Sequence, residues 1–249
     1  MESPPFVLRP GTLADINQMA LIIIAAYAPG SVTKYLNPKA DRYPEDHKMA
    51  VLQAITKSYL NPKISTLVAC PAEFPGVVSA YGMYSRVGDD VGAEEFLYER
   101  SLVERMGRCI LSYVLTGLFK SYNFIRPNRA TSKPHNEVFE HSIKQDEERY
   151  WSPITFPRRQ NRWHVHTIVV HPEYQRQGLG RLLMEYVLNR AEKEGVPIGL
   201  TSSIEGEKLY SKLGFKLLGD FYTRVGREDE SGGGHMLWWP KGVEKDGNY

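Results

Sequence analysis

The chain is poor in cysteine, has no long apolar run and carries almost balanced charge. Cys70 and Cys109 are the two thiols of its 249 residues. They lie far apart without metal-ligand spacing, which argues against a zinc module or a disulfide framework. They could form one disulfide, but two buried thiols in a reducing compartment are the expectation. The most apolar stretch, MALIIIAAYA at 19–28, is about ten residues, too short to cross a bilayer. The opening MESPPFVLRPG carries an acid and three prolines and no run of signal-peptide length. A formal net charge of +2 gives no electrostatic reason for a nucleic-acid partner. These features predict an intracellular, cytoplasmic protein with neither a membrane nor a nucleic-acid partner. They leave its oligomeric state open. Hydrophobic residues at 42% and charged residues at 24% suit a globular chain long enough for one large core.

Periodicity predicts an α/β fold. FVLRPG at 6–11 reads as a strand, and Thr12 is placed to cap a helix running to about Tyr27, stopped by Pro29-Gly30. PEDHKMAVLQAITKSY at 44–59 reads as a second helix, with proline and acids at its start. STLVAC (65–70) and VVSAYGMYS (77–85) read as antiparallel strands. Residues 86–162 are long for a plain connection. They read as a helical insertion over the main sheet, with one helix pair joined near Gly107, inside a single domain spanning 1–249. Strand 163–171, helix 180–195 ended by Gly195, strand PIGLTSS, helix EGEKLYSKLG and strand FKLLGDFYTR follow. SGGG at 231–234 then turns the chain into an edge strand HMLWWPK. The order strand, helix, strand, helix, strand, strand implies a mixed sheet flanked by helices.

HVHTIVVHPEYQRQGLG at 164–180 carries the chemistry. A strand runs into Gln175, Arg176, Gln177, Gly178, Leu179 and Gly180, and a helix begins. Glycines at this spacing keep backbone N–H groups clear of side chains, and the helix start adds a positive dipole end, so the turn can cradle a pyrophosphate. The spacing is neither G-x-x-x-x-G-K-S/T nor G-x-G-x-x-G, which disfavours a P-loop and a dinucleotide site. His164 and His166 should share one face of the strand, with Val165 and Thr167 on the other. They can be hydrogen-bonded polar groups near a strand end. A metal site lacks a third ligand at sensible spacing, so no metal is expected.

The string V-x-V-H-P followed by Q-x-x-G-x-G resembles the acetyl-CoA motif of the GCN5-related N-acetyltransferase (GNAT) superfamily. LTSSIEGEKLYSKLGFKLLG at 200–219, with its Y-x-x-x-G-F element, resembles the family's following segment. The resemblance is strong over 163–222, weaker before residue 85, and does not cover 86–162. It implies a mostly antiparallel GNAT-like sheet and acetyl-CoA as cosubstrate. Gln175 would belong to the cofactor-binding turn, with pyrophosphate contacts at Arg176, Gln177, Gly178, Leu179, Gly180 and Arg181. Ile168 and Val170 would lend their backbone to the pantetheine arm, and the Val169 amide would polarise the thioester carbonyl. Ser203 stands where the family often has a pantetheine-binding asparagine.

The stretch is also similar to that of the arylalkylamine N-acetyltransferases, which implies His164 and His166 as proton-relay bases. The match of Tyr210 to the family's tyrosine implies that its phenol protonates the departing thiolate. Glu173 or an acid of the insertion can fill the role of base instead. The expected reaction is direct attack on acetyl-CoA by a small primary amine, an arylalkylamine being the subclass that the histidine pair suggests. A protein or peptide amine, a polyamine, an aminoglycoside, or mere cofactor binding without turnover are the alternatives. Aromatics of the insertion (Tyr98, Phe119, Tyr122, Phe124, Tyr150, Trp151, Phe156) suit a flat amine but equally suit a helical core. Glu94, Glu95 and Glu99 can attract a cation or simply face water.

Overall fold

The computed structural model describes residues 5–226 and 231–246. β1 (Phe6–Pro10) opens the chain, and Arg9 grips Asp15 through two hydrogen bonds of 2.7 and 2.8 Å. Asp15 also accepts from the Thr12 N–H. These bonds fix the entry to α1 (Ile16–Tyr27) and lower the Asp15 carboxyl to about 2, the Arg9 hydrogen bond being the main cause. A short α2 (Ser31–Leu36), which hydrophobic patterning did not reveal, precedes α3 (Pro44–Leu60).

β2 (Ile64–Pro71) and β3 (Ala80–Val87) follow as antiparallel neighbours, as expected of two short apolar strands joined across the PAEFPG break. Three helices then separate β3 from its next partner: α4 (Val91–Tyr98), α5 (Leu102–Ile125) and α6 (Lys133–Trp151). The break lies at Glu99–Ser101 and not at Gly107. Ser101 caps α5 by accepting from the Glu104 N–H, and the helix runs through both of its glycines.

β4 (Arg162–Val170), α7 (Leu179–Glu194), β5 (Ile198–Ser202), α8 (Ile204–Lys212), β6 (Lys216–Gly219) and β7 (Gly234–Trp238) complete the fold. Sheet order is β1-β2-β3-β4-β5-β7-β6. Of its six pairings only β4–β5 is parallel, so the sheet is mixed, mostly antiparallel and flanked by helices. The structure departs from two sequence expectations. FKLLGDFYTR gives a strand of four residues. The HMLWWPK strand lies inside the sheet between β5 and β6, where neighbours on both sides bury His235, Met236 and Leu237. Gly234 of the SGGG run already belongs to β7, and residues 227–230 before it lie outside the described ones.

One face of the sheet packs α7, with Leu179, Leu183, Met184, Val187 and Ala191 against Tyr84, Val165 and Leu200. The other packs α1 and α3 on Val68, Tyr81, Met83 and Val169. A third cluster joins Tyr150 and Trp151 of α6 to Leu237 and Trp239. Cys70 is buried as expected. Cys109 is exposed, because its helix buries no residue at all. No helix among the described residues is long and apolar enough to cross a membrane.

Candidate active site

β4 and β5 pair only through Trp163–Ile198, His164–Gly199 and Val165–Leu200. Beyond Val165 they diverge, and the outer edge of β4 opens. Which amides face that opening follows from the ladder. The Trp163 N–H donates to Pro197 O on the β5 side, and the His171 N–H donates to Ser79 O on the β3 side. Counting back from His171 with the two-residue period sends the Val169 amide to β3 and those of Ile168 and Val170 into the opening. Val169 itself is buried in the α1/α3 core.

A bulge reconciles the two ends of β4. Tyr84 pairs with Val165 and Met83 with Thr167, so His166 is the extra residue. Strict alternation therefore fails. His164 and His166 do lie together, their ring centroids 4.7 Å apart. Thr167, however, shares the Met83 and Val169 face, while Val165 turns to α7.

The turn after β4 is held from below. Gln175 Nε2 donates to Val170 O at 3.3 Å, and Gln177 Nε2 to Glu173 O at 3.2 Å. Arg176 takes φ 62° and Gly178 φ 85°. A Cβ placed on Gly178 meets nothing within 4 Å, so space lies open above its amide. Gly178 is the N-cap of α7, and the amides of Leu179, Gly180 and Arg181 point out of the first turn without an intrahelical acceptor. Gly180 lies against α8, where a Cβ would stand 3.0 Å from Leu209 Cδ2. Arg181 pairs with Glu185 at 2.9 Å. Open amides on a strand edge and on a helix start fit an extended amide-containing arm ending in a pyrophosphate, as in acetyl-CoA. Ser203 caps α8, its Oγ accepting from the Gly206 N–H at 3.1 Å.

Tyr210 of α8 is buried, and burial first, then the nearby Tyr27, raises its phenol well above 10. The Tyr27 phenol is raised by burial and by Glu205 at the start of α8. The Tyr27 and Tyr210 phenols are therefore close enough for one to influence the other. Tyr27 was not singled out by sequence, since it closes an apolar helical run.

On the α6 side the histidines meet an aromatic wall. The His166 Nε2 and Ser85 Oγ lie 2.8 Å apart, and burial lowers the pKa of this ring, although its outer edge is open to solvent. The His164 pKa is pushed well below 6.5 by burial, then by His166, Arg162 and His235. Its Nδ1 is buried without a hydrogen-bond partner among the described residues. Trp151 stands edge-on to both His164 and His235, at 6.3 Å each.

His235 is stacked on Tyr150 at 4.7 Å, and its Nε2 lies 3.3 Å from the buried Asp146 Oδ2. Burial lowers its pKa against the opposing pull of Asp146. Asp146 also accepts from the Tyr222 N–H at 2.7 Å. The two aromatics at the end of α6 seat on glycines of the sheet. A Cβ on Gly199 would fall 2.5 Å from Trp151 Cη2, and one on Gly219 2.5 Å from Tyr150 Oη.

Sequence reading missed Asp146 and His235; the signal for them was weak, one acid in an acidic helix and one histidine after glycines. Of the insertion's aromatics only Tyr150 and Trp151 reach this wall. Glu99 is bound by Arg190 of α7, and α4 packs through Phe96 on Trp163 in the core of the α7 face, away from the histidines. No cluster of three metal-ligating groups occurs among the described residues.

A family model described as an acetyltransferase (GNAT) domain matches residues 113–227. The chain is 25% identical over 230 residues to an acetyltransferase of Stachybotrys chartarum, covering 88% of this chain and 85% of that one. It is 41% identical over 70 residues to the ribosomal protein bS18-alanine N-acetyltransferase of Escherichia coli, covering 25% of this chain and 47% of that enzyme. A solved structure described as histone acetyltransferase HPA2 and related acetyltransferase, from Corynebacterium glutamicum, matches with a TM-score of 0.57 at 17% identity, over 95% of this chain and 97% of that one. The chain is an acyltransferase with the fold of the GNAT superfamily, and its general chemistry is transfer of an acetyl group from acetyl-CoA.

Proposed function

We propose that the protein acetylates a small primary amine, with an arylalkylamine the best fit, within a single domain that includes the α4–α6 insertion. The observation that carries this reading is the pair His164/His166 set between the open edge of β4 and the wall made by Tyr150, Trp151 and His235. Flat aromatic surfaces beside a base favour an acceptor with a ring and an amine.

The amides of Ile168 and Val170 and the Gly178–Arg181 turn would hold acetyl-CoA, whose thioester carbonyl and thiolate leaving group supply the acyl chemistry. The Ile168 amide takes the polarising role first given to Val169, because the Val169 N–H is committed to β3. An alkylammonium keeps its proton near pH 10, and only the neutral amine attacks. His164 and His166, their pKa values depressed by burial, are uncharged at pH 7 and can accept that proton directly or through a water. Tyr210, its phenol held protonated by burial, can donate to the leaving sulfur. Ser203, capping α8, is left only a minor part in binding the pantetheine arm.

The test is thiol release from acetyl-CoA with tryptamine, phenethylamine, spermidine, aminoglycosides and short peptides. Turnover confined to the arylalkylamines is expected. Turnover confined to peptides would transfer the acceptor to a protein or peptide amine, as in the alanine N-acetylation named for the Escherichia coli relative. Tight cofactor binding with no turnover would replace the enzyme reading by a binding module.

A further inference from the structure

A surface helix of a folded protein normally turns its apolar stripe to the core and its charges to water. α5 departs from this: besides a narrow core-facing edge, it turns a second, wider apolar stripe to water. Arg108 donates to Tyr59 O at 2.6 Å and lies 4.5 Å over the Tyr59 ring. Arg105 lies 4.6 Å over the Tyr98 ring, and Glu104 accepts from Arg108. Leu111 and Leu115 touch the α1/α3 core, and Asn123 exchanges two hydrogen bonds with Gln53 of α3. This is the inward side. At 100° per residue, Val103, Met106, Ile110, Tyr113, Gly117 and Phe124 run along the opposite side. Val103 is 81% exposed, Tyr113 84% and Phe124 89%. Lys120, at the margin of this half, is its one charged residue.

The apolar side chains on this outward half of α5, from Val114 at 49% exposed to Phe124 at 89%, together present on the order of 1,000 Å², whereas the largest patch on a monomer is typically ~300–600 Å² and a stable interface takes ~800 Å² from each partner. The stripe is also self-complementary. A two-fold axis through the helix centre, between Tyr113 and Val114, sets Ile110 opposite the partner's Gly117 and Val103 opposite the partner's Phe124. Cβ atoms on Gly107 and Gly117 would meet nothing within 4 Å, so the helix surface there is open to a large opposing side chain.

We propose that α5 is the interface of a homodimer, packed antiparallel against α5 of a second copy of this chain. Such a pairing covers both stripes at once and closes on itself, leaving no unmatched patch to propagate. A helix lying on a lipid surface carries Lys and Arg on its polar face, but Arg105 and Arg108 are turned onto Tyr98 and Tyr59. A nucleic acid would find almost no positive charge on the stripe.

Sedimentation velocity of the full chain from nanomolar to micromolar concentration tests the proposal. The wild type is expected to be a dimer, and Ile110→Asp with Tyr113→Asp a monomer that binds acetyl-CoA as before. Gly117→Leu is the sharper variant. It keeps the stripe apolar, strengthens the helix and meets no neighbour in the monomer, yet fills the hollow opposite Ile110. It should weaken the dimer by ~10-fold or more in dissociation constant, as an overpacked contact does. A monomeric wild type at every concentration, or a Gly117→Leu dimer of undiminished affinity, overturns the proposal. So does flotation of a monomeric wild type with phosphatidylcholine–phosphatidylserine vesicles, which would assign the stripe to a lipid surface.

Discussion

The two sides of the opening beside β4 are made of different material. The side proposed for the cofactor is main chain: the amides of Ile168 and Val170 on an edge without a partner strand among the described residues, and a turn whose Gly178 stands at φ 85°. The side proposed for the acceptor is side chain, gathered from β4, α6, β5 and β7: His164 and His166, Trp151, Tyr150 and Asp146, Thr201, His235. A backbone site tolerates most substitutions and depends on local conformation. A side-chain site depends on distant segments arriving together, and each of its members can be changed alone. One half of the site can therefore hold a common ligand while the other varies its partner.

The largest separation between the halves should come from the histidines. Replacing His164 and His166 together by Gln is expected to lower kcat/KM for the amine by ~10²–10⁴-fold, the range of general base catalysis, with acetyl-CoA affinity near normal. Wild-type activity should lose its base only below pH 6.5, because both imidazole pKa values are depressed. An acid limb in kcat/KM that the double variant leaves in place would remove these histidines as bases. The converse variant is Gly178→Val. A β-branched residue is strained at φ 85° and intrudes on the cradle, so acetyl-CoA affinity should fall by ~100-fold, measured by calorimetry, with the fold retained. Equal damage to both ligands from either change would erase the distinction between the halves.

This division also explains what could be read in the sequence. The tight turn from Gln175 to Gly180 was legible because a strand, two glycines and a helix start are consecutive, and local conformation sets its shape. The place of Tyr210 on a short helix was legible because YSKLGF holds it at fixed spacing; its acid role is a proposal. The histidine pair was legible as a pair, but the bulge at His166 was not: one extra residue moves Thr167 to the other face with no change in composition. Asp146 and His235 were illegible for a stronger reason. They are 89 residues apart and meet only because Trp151 and Tyr150 seat α6 on Gly199 and Gly219. A glycine in a strand announces close approach, but not what approaches. The outward stripe of α5 shows the same limit, since its periodicity is that of a core-facing helix while its direction is a tertiary fact.

Gly199→Ala probes that seat at smaller cost. The added methyl would fall 2.5 Å from Trp151 Cη2, so the indole must shift, and its edge contact with His164 shifts with it. The expected result is a KM for the amine raised by ~10-fold, since a pocket contact of this size is worth ~1–3 kcal/mol, with acetyl-CoA affinity unchanged. Unchanged amine kinetics would show that Trp151 packs the insertion without shaping the acceptor side.

The smallest effect is on stability, and it sets the acceptor side apart again. His164, His166 and His235 all have folded pKa values below 6.5, mainly through burial. Below pH 6.5 the unfolded chain takes up protons that the folded chain refuses, so the unfolded state binds more of them and stability falls with falling pH. Above that value both states are neutral at these sites and the contribution is flat. Asp15 behaves with the same sign but in a separate window, its benefit lost from about 3.8 downward toward 2. Thermal unfolding between pH 7.5 and 5 should therefore show a declining Tm that His164→Gln makes shallower and Asp15→Asn merely lowers throughout. An identical slope in His164→Gln would mean that its ring is protonated as readily folded as unfolded, and that the wall around it does not exclude water.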